Sequence, residues 1–438
     1  MRVLLDGYNL QLEQGTGVAT YARSLSRLLG DSQHEVDVLY GRPIGGRRSA
    51  LLREVEFFDR PRLTTRQGWR RGLARASLLS GFRTARPELI PPRSAVVAET
   101  VRDRLPHFDR LWNQSRLFEA ANARQRLTGG FVNVDNRDIG ADVAHWTYPL
   151  PLRLRGAANV YTVHDLVPLR LPDTTLDRKA AYLNMLQRIA QEADLIVTVS
   201  ETSRADIIEL LGADENRVVN TYQPTLIPGS CFDDSADELA ATLHGIFGLT
   251  PQKYVLAYGA VEPKKNFGRL TEAYLGANLD MPLVIAGPDG WLAQRELALV
   301  NDGRRSRKRV IRIGYTPSRQ LVNLIRGAAC VAFPSLYEGF GLPILEAWRC
   351  GTPVLTSNHG ATAEIADDAA ALVDPYSVTS IRRQLRRLCD DADWAGELVA
   401  RGTARLKHFS PEACAQRLAD AYARLGLPAA AVGGESST

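Results

Sequence analysis

Short apolar segments alternate with helical patterns along two separate stretches of this sequence, and this alternation limits the possible folds more than any other feature. The segments with strand character lie at residues 3–6, 36–40, 143–145, 160–163, 195–199, 254–258, 283–286, 310–313, 331–333, 354–356 and 370–373. Strands that are separated by helices pair in parallel, and the helices then cover both faces of the sheet. We therefore expect an α/β fold with two doubly wound, Rossmann-like parallel sheets.

The length of the chain fits two domains. Its 438 residues exceed what one hydrophobic core usually serves, and two domains of roughly 200 residues each are expected. A segment rich in proline, glycine and polar residues divides the two alternating stretches. The predicted parts are a first domain at 1–222, a linker at 223–252, a second domain at 253–405, a helix at 406–427 that returns to the first domain, and a disordered tail at 428–438.

Arginine is concentrated in one part of the first domain. Residues 41–126 hold 19 Arg, no Lys and 8 Asp plus Glu, whereas the whole chain has a net charge of +5. We interpret 41–130 as an Arg-rich insertion, which is either a solvated surface or attracted to an anionic membrane or acceptor. Within it, Trp69, Leu73 and Ala76 share one face of a helical pattern. That face would either lie on a membrane or pack against the first sheet.

Composition excludes several classes of protein. A hydrophobic content of 45% and a charged content of 24% are ordinary for a soluble globular protein. No apolar run approaches the ~18 residues of a membrane-spanning helix, and the first residues predict a strand rather than a signal peptide. The five cysteines show no Cys-x-x-Cys spacing, which favours free thiols in a reducing cytosol. We expect a cytoplasmic protein, with peripheral attachment to the inner face of the cytoplasmic membrane as a further expectation.

The segment that follows the predicted strand 331–333 carries the strongest functional signal. From residue 333 it reads Phe-Pro-Ser-Leu-Tyr-Glu-Gly-Phe-Gly-Leu-Pro-Ile-Leu-Glu, which predicts a strand end, a glycine-containing loop and a helix. Glycine lets such a loop approach a ligand closely. Two carboxylates bracket the loop, Glu338 within it and Glu346 in the first helical turn. The N–H groups expected to point at an anion in front of the helix belong to Phe340, Gly341 and Leu342.

This Glu-x7-Glu segment resembles the donor-binding motif of retaining glycosyltransferases of the GT-B fold and the family 4 (group 1) type, which include bacterial O-antigen and exopolysaccharide mannosyltransferases. In that family the first glutamate lies beside the donor sugar, and the second holds the ribose hydroxyls of the nucleotide. The resemblance implies a catalytic role for Glu338 and donor binding for Glu346. It also implies that the first domain binds the acceptor and the second binds the nucleotide-sugar donor, with the two facing each other across a cleft. It covers residues 254–375 strongly, the first domain in patches, and residues 41–130 hardly at all.

Two adjacent lysines follow the first strand of the second domain. The chain is rich in arginine, yet Lys264 and Lys265 stand together in Glu-Pro-Lys-Lys-Asn from residue 262. A compact ammonium suits a phosphate as a point charge, whereas two cations at a helix start oppose the helix dipole. The family carries a similar Glu-Pro-Arg-Lys-Asn sequence that binds the donor diphosphate. The resemblance implies a catalytic Lys265 and donor binding by Lys264.

Two loops of the first domain also match the family. Gly15 and Gly17 lie in a glycine turn before the first helix, where the family has a loop that faces the donor phosphates. His164 and Asp165 follow a strand in Val-His-Asp-Leu, and the family's His-Asp contacts the donor sugar. The resemblance implies a catalytic His164 near the reacting centre and an Asp165 that orients His164 or the acceptor; Ser200 matches as well.

No cofactor and no metal site are expected. The sequence has one Asp-x-Asp, at 391–393, and no cluster of hard ligands follows a strand, as a Mg²⁺–diphosphate site would require. The lysines and helix N-termini would then balance the charge of the leaving diphosphate. The resemblance implies a nucleotide-sugar donor, GDP-mannose ahead of a UDP-sugar. It also implies a glycan or polyprenyl-linked acceptor in cell-surface polysaccharide synthesis.

Two other functions stay open. A nucleotide-sugar 2-epimerase on the same fold would need added catalytic carboxylates and a cleft without an acceptor. A non-catalytic binder of nucleotide sugars or of nucleic acid would suit the Arg-rich segment. The presence of Glu338, Glu346 and Lys265 favours an enzyme, and no nucleic-acid partner is expected.

Overall fold

The part of the chain that the structure describes forms two α/β units built mainly on parallel sheets. The computed structural model describes residues 1–11, 17–44, 57, 84–90, 105–175, 178–225, 227–301 and 309–427. Gly15, the helical pattern around Trp69 and the tail from residue 428 lie outside the described residues.

The first half of the chain builds one large sheet and one small sheet. Its strands are β1 (Arg2–Asp6), β2 (Glu35–Tyr40), β3 (Thr84–Ala85), β4 (Glu88–Ile90), β5 (Arg110–Asn113), β6 (Val132–Val134), β7 (Val143–Trp146), β8 (Leu152–Leu154), β9 (Ala158–Thr162), β10 (Leu195–Thr198) and β11 (Val218–Asn220). The large sheet has the order β11-β10-β9-β7-β1-β2-β5-β4, and β3, β6 and β8 form the small one. Only β4 and β5 pair antiparallel among the described strands of this half.

Helices cover the first sheet between its strands. They are α1 (Gly17–Asp31), α2 (Leu117–Thr128), α3 (Val167–Arg170), α4 (Lys179–Glu192) and α5 (Glu201–Leu211). The bounds of α5 follow from its end residues. The side chain of Ser200 accepts a hydrogen bond from the backbone N–H of Ser203, and Gly212 ends the helix in the left-handed region at φ 65°.

The second half builds a six-stranded sheet in which every pairing is parallel. Its strands are β12 (Val255–Tyr258), β13 (Leu283–Ala286), β14 (Val310–Ile313), β15 (Cys330–Phe333), β16 (Val354–Ser357) and β17 (Ala371–Val373). Their order is β14-β13-β12-β15-β16-β17. Strands such as β12 and β15 are buried at all four residues, as expected where helices cover both faces of a parallel sheet.

The helices of the second half complete the fold. They are α6 (Ala236–Thr242), α7 (Phe267–Ala277), α8 (Ala293–Glu296), α9 (Ala298–Asn301), α10 (Ser318–Arg326), α11 (Leu342–Arg349), α12 (Gly360–Ala366), α13 (Val378–Asp390), α14 (Ala392–Arg405) and α15 (Pro411–Ala423). The last of these, α15, packs against α1 of the first unit. Its Tyr422 hydroxyl lies 2.6 Å from Nδ1 of His145 in β7. The C-terminal helix therefore joins the second unit to the first.

The sequence-based expectation of an α/β fold with parallel sheets is confirmed, but two of its details are wrong. The predicted insertion 41–130 ends too late, because β5 pairs with β2 in the main sheet and α2 follows it. The sequence did not predict β5 because the strand begins with a charged residue, Arg110. In the structure its guanidinium pairs with the fully buried Asp37 at 2.6 Å. The predicted linker 223–252 contains α6, and the buried Leu243 just after α6 packs in the hydrophobic core.

Candidate active site

The predicted donor residues of the second unit lie together at one end of the second sheet. In an open α/β sheet, ligands bind beyond the carboxyl ends of the strands where the strand order reverses. That point lies between β12 and β15, which are neighbours although other strands separate them in sequence. The loop after β12 carries Lys264 and Lys265, and the loop after β15 carries Glu338.

A carboxylate and two ammonium groups form the centre of the site. The Nζ atom of Lys265 lies 2.7 Å from Oε1 of Glu338, and that of Lys264 lies 3.6 Å from Oε2. The side chain of Glu338 is 9% exposed and those of the two lysines 17–18%. Both cations lie at one carboxylate, and the carboxylates of Asp165 and Glu262 also act on Lys264. The two ammonium groups are thus placed where a diphosphate could accept charge-assisted hydrogen bonds from them.

The charges of this group stabilise one another. Burial disfavours the ionised carboxylate of Glu338, but Lys264 and Lys265 outweigh burial and lower its pKa. Burial likewise disfavours the ammonium of Lys264, and the carboxylates of Glu338 and Asp165 raise its pKa in spite of it. Both residues are therefore ionised at neutral pH.

The backbone and an aromatic ring hold the lysines in place. Asn266 follows them with φ 62°, in the left-handed region that asparagine tolerates better than most residues. Its side-chain amide donates to the carbonyl oxygens of Pro334 at 2.9 Å and Pro375 at 2.7 Å, which fixes the lysine turn to the loop after β15. Lys265 also lies over the ring of Phe333, 4.7 Å from its centroid.

Glu346 lies in the same site but not in the first turn of the helix. The helix α11 begins at Leu342, so Glu346 is its fifth residue, and the prediction of a first-turn position is wrong. The hydroxyl of Tyr258, the last residue of β12, donates to Oε2 of Glu346 at 2.6 Å. Burial raises the pKa of Glu346, while the bond from Tyr258 lowers it.

Phe340, Gly341 and Leu342 form the N-terminal end of α11. Gly341 precedes the helix with φ 123°, which only glycine adopts readily. Within the described residues, the backbone N–H groups of these three residues make no hydrogen bond. They match the orphan donors that an anion could use at a helix N-terminus.

His164 lies in the loop after β9 of the first sheet, and this loop contacts the loop that carries Glu338. Its Nε2 atom donates to the carbonyl oxygen of Thr147 at 2.9 Å, which places the proton on Nε2 and leaves Nδ1 as an acceptor. The ring of Tyr21 packs edge-on against the imidazole with centroids 4.7 Å apart, and burial lowers the pKa of His164. Asp165 accepts from the backbone N–H of Val167 at 3.0 Å. The structure thus shows Asp165 bracing its own loop.

The loops of the two sheets touch at Gly339. A Cβ atom at Gly339 would lie 2.5 Å from the carbonyl oxygen of His164, so no larger residue fits this approach. The hydroxyls of Ser200 and Ser203 donate to the carbonyl oxygen of Gly339 at 2.7 and 3.2 Å. The two units also approach each other at Gly17 of α1, where a Cβ atom would lie 3.8 Å from the side chain of Leu342. The loop after β9, which carries His164, and the loop after β15, which carries Glu338, are therefore in direct contact.

A second contact holds the two units together. The carboxylate of Glu364, in α12, accepts hydrogen bonds from the backbone N–H groups of Glu201 and Thr202 at 2.8 Å each. It also accepts from the Thr202 hydroxyl at 2.8 Å. One unit thereby caps the N-terminus of α5 in the other, which stabilises the closed arrangement.

Comparison with known proteins gives the family. The family described as glycosyl transferases group 1 matches residues 243–405, and glycosyltransferase family 4 matches residues 92–222. An O-antigen chain mannosyltransferase B of Escherichia coli is 34% identical over 282 residues, which cover 62% of this chain and 71% of that protein. The chain belongs to the group 1 (family 4) glycosyltransferases. A serotype-specific mannosyltransferase of E. coli, WbdA, is 31% identical over 61% of this glycosyltransferase, which spans only 33% of that longer relative.

A solved structure shows that this glycosyltransferase has the GT-B fold. HepE of Anabaena, crystallised in complex with UDP-glucose, superposes with a TM-score of 0.65 at 14% identity. The superposition covers 97% of this chain and 99% of HepE. The predicted fold class and the predicted family are both confirmed.

Sequence reasoning missed several residues of the glycosyltransferase site. It assigned no role to Asn266, although asparagine is one of the few residues that often adopt a positive φ, and its place directly after the two lysines could have indicated a tight turn. No local sequence pattern indicated Tyr258 or Glu364, because each forms its hydrogen bonds with residues that are distant in sequence.

Within the described ranges, no three His, Cys, Asp or Glu side chains gather in a way that could hold a metal ion. No described helix is both long and apolar enough to cross a bilayer.

Proposed function

We propose that this glycosyltransferase transfers a hexose, with retention of configuration and without a metal ion, from a nucleotide sugar to a glycan or polyprenyl-linked acceptor. The observation that carries the proposal is the Glu338–Lys265–Lys264 group, which lies in loops of the second unit that contact the loop of His164 in the first. It combines the charge that a leaving diphosphate requires with polar groups beside the place of reaction.

In the proposed reaction, the bond from the anomeric carbon to the donor phosphate breaks as the acceptor oxygen attacks from the same face. The acceptor proton moves to a phosphate oxygen of the leaving diphosphate, so no protein nucleophile is needed. Lys265 and Lys264 stabilise the growing charge on the diphosphate. Glu338 holds Lys265 in place and lies beside the donor sugar, while the closed cleft excludes water and limits hydrolysis.

Glu346 binds the ribose hydroxyls of the donor in this proposal. Its carboxylate is already oriented by the Tyr258 hydroxyl, so less side-chain freedom is lost when the nucleotide binds. The backbone N–H groups before α11 and Gly17 at the start of α1 complete the surroundings of the diphosphate.

Mannose is the favoured sugar, and GDP-mannose the favoured donor. This preference is supported by the similarity to the two E. coli mannosyltransferases, one of which is named an O-antigen chain mannosyltransferase. A UDP-sugar is the second candidate, because HepE was crystallised with UDP-glucose. We propose that the acceptor belongs to a cell-surface polysaccharide and is reached from the cytoplasm.

Thermal shift against nucleotide sugars tests the donor assignment. A ligand at 100 times its Kd stabilises a protein by about 2.7 kcal/mol, so GDP-mannose should raise the melting temperature more than UDP-glucose does. The stabilisation should persist in EDTA. No shift with any nucleotide sugar, or a shift that requires Mg²⁺ or Mn²⁺, would contradict the proposal.

The same preparation separates the transferase from an epimerase. Donor incubated without acceptor should stay intact apart from slow hydrolysis, because productive turnover needs the acceptor hydroxyl. Rapid conversion of the donor to a different sugar in the absence of acceptor would favour a 2-epimerase instead.

Peripheral contact with an anionic membrane is a separate proposal, motivated by the net positive charge of residues 41–126. Each Arg near an anionic surface contributes about 1 kcal/mol. Wild-type protein should sediment with anionic vesicles more than a variant with Glu at Arg70, Arg71 and Arg75. Equal sedimentation of the two proteins would leave packing on the first sheet as the role of this segment.

A further inference from the structure

Two tyrosines lie where the strand order of the first sheet reverses. In that sheet β1 has β2 on one side and β7 on the other, and β1 and β7 are parallel neighbours. Tyr8 stands two residues beyond the end of β1, and Tyr148 two residues beyond the end of β7. This is the position where an open α/β sheet binds a ligand, and the residues assigned so far to the donor leave it unused.

The two rings form a platform. Their centroids are 5.8 Å apart and their planes are inclined by 26°, which is a stacked arrangement. Tyr8 also packs edge-on against Phe118, with centroids 5.2 Å apart. Phe118 is buried, whereas both tyrosines are partly exposed. The buried ring of Phe118 therefore supports Tyr8, which in turn packs on Tyr148, and both tyrosines keep part of their surface exposed.

A buried aspartate fixes the backbone beneath this platform. The carboxylate of Asp6 accepts from the backbone N–H of Tyr8 at 3.1 Å, and also from the backbone N–H of Thr147. Asp6 is fully buried, and burial raises its pKa to about 6. A single side chain thus ties the loop that carries Tyr8 to the loop that carries Tyr148. Such bracing is typical of a binding surface that is formed before its ligand arrives.

The platform adjoins the proposed reacting centre. His164 donates to the carbonyl oxygen of Thr147 at 2.9 Å, and Tyr148 is the next residue, with its Cα about 3.8 Å further along the chain. The carbonyl of His164 in turn touches Gly339, the neighbour of Glu338. The loop that carries Tyr148 is thus bonded to His164, and the loop of His164 contacts the loop of Glu338.

We propose that Tyr8 and Tyr148 bind the terminal pyranose ring of the acceptor saccharide and orient its attacking hydroxyl towards the donor sugar. The face of an aromatic ring is electronegative and attracts the C–H groups on the apolar face of a pyranose. Burial and the carboxylate of Glu119 raise the pKa of Tyr8, so its phenol stays protonated and can donate to a sugar hydroxyl. This inference rests on the proposed glycosyl transfer and assigns its acceptor side.

Steady-state kinetics with an α-linked methyl mannobioside test the platform. Tyr8→Leu and Tyr148→Leu should each raise the acceptor KM about tenfold, the upper range for loss of one aromatic contact, with the donor KM unchanged. Tyr8→Phe and Tyr148→Phe keep the ring and should restore most of the acceptor affinity. Tyr315→Leu is the matched control, because Tyr315 is 60% exposed in the second unit.

The outcomes separate this inference from the proposed function. If the wild-type protein transfers no sugar from GDP-mannose or UDP-glucose to the mannobioside, the proposed function fails and the platform with it. If transfer occurs but the leucine variants keep the wild-type acceptor KM, the platform alone is overturned.

A measurement on the wild-type protein covers the case in which a leucine variant does not fold. The 14 tyrosines can be replaced by 3-fluorotyrosine, and the resonances of Tyr8 and Tyr148 assigned from the two phenylalanine variants. Addition of the mannobioside in the presence of GDP should shift both resonances and leave that of Tyr315 in place. Unchanged resonances at saturating mannobioside would overturn the platform.

Discussion

At the scale of single residues, the site depends on how two lysines share one carboxylate. Lys265 lies at 2.7 Å from Glu338 and over Phe333, whereas Lys264 lies at 3.6 Å. In the proposed reaction, the better-held cation is preorganised for charge that appears only in the transition state. Lys264, which is more loosely placed, should contribute less to the chemical step.

Replacement of Lys265 tests this difference. Lys265→Ala should lower kcat by roughly 10²–10³, as when one preorganised stabiliser of charge is removed, and Lys264→Ala should lower it less. Lys253→Ala is the control, since Lys253 is exposed and distant in the fold from the charge group. Full activity in the Lys264/Lys265 double variant would show that the diphosphate is stabilised elsewhere.

Glu346 should act on donor affinity rather than on chemistry. Contacts to ribose bind the ground state and the transition state alike, so Glu346→Ala should raise the donor KM with a smaller effect on kcat. Tyr258→Phe removes the hydroxyl that orients Glu346 and should shift the donor KM in the same direction by a smaller factor. A collapse of kcat at unchanged donor KM would mean that Glu346 takes part in the reaction.

At the scale of elements, closure depends on loops and helix ends from both units. Gly339 touches the loop after β9, and Glu364 of α12 caps the start of α5. These contacts bring the loop of His164 to the loop of Glu338, although the two loops follow strands of different sheets. Anything that separates the loops should therefore affect the reaction more than it affects donor binding to the second unit.

Gly339→Ala is the sharpest test of closure. The added Cβ would lie 2.5 Å from the carbonyl oxygen of His164, a contact that closure cannot keep without a backbone shift. We expect kcat to fall by at least tenfold, about 1.4 kcal/mol, while the Kd for GDP measured by calorimetry stays within twofold. Gly396→Ala is the control, because nothing lies within 4 Å of a Cβ there. Wild-type turnover in Gly339→Ala would show that this contact is dispensable.

Local sequence predicted the elements well where one pattern determines them. Continuous apolar runs predicted β12 and β15, and the Glu-x7-Glu and Glu-Pro-Lys-Lys-Asn segments predicted which loops would carry charge. The strand β5 was not predicted, because its first residue, Arg110, is stabilised by the buried Asp37, which is distant in sequence. The capping of α5 by Glu364 was not predicted for the same physical reason. Pairings between remote residues leave no local pattern.

At the scale of the whole molecule, the C-terminal helix ties the second unit to a buried histidine of the first. His145 lies between the Tyr422 hydroxyl of α15 and the Thr162 hydroxyl of β9, at 2.6 and 2.7 Å. The hydroxyl of Tyr21, whose ring packs on His164, lies 3.0 Å from Thr162. The helix that returns to the first sheet is therefore connected to the surroundings of His164, the proposed reacting centre, through buried hydrogen bonds.

This arrangement makes stability depend on pH. Burial lowers the pKa of His145 to about 3, below its value near 6.5 in the unfolded chain. The unfolded state binds the proton first, so His145 contributes stability above pH 6.5 that is lost as the pH falls towards 3. The loss is at most about 1.4 kcal/mol per pH unit for one proton.

Denaturant unfolding at several pH values checks this contribution. His145→Gln keeps hydrogen-bonding atoms but cannot titrate, so its free energy of unfolding should fall less steeply than that of the wild type between pH 6.5 and 4. The exposed His244→Gln is the control and should keep the wild-type slope. Equal slopes in all three proteins would remove His145 as the source of the dependence.

Retention of configuration at the anomeric carbon is the step on which the proposed mechanism depends. Proton NMR of the first turnovers, with GDP-α-mannose and a methyl mannobioside in the presence of EDTA, observes the new linkage directly. We predict an α-linked product formed at a rate that EDTA leaves unchanged. A β-linked product would contradict same-face attack, and loss of transfer in EDTA would contradict stabilisation of the diphosphate by Lys264 and Lys265.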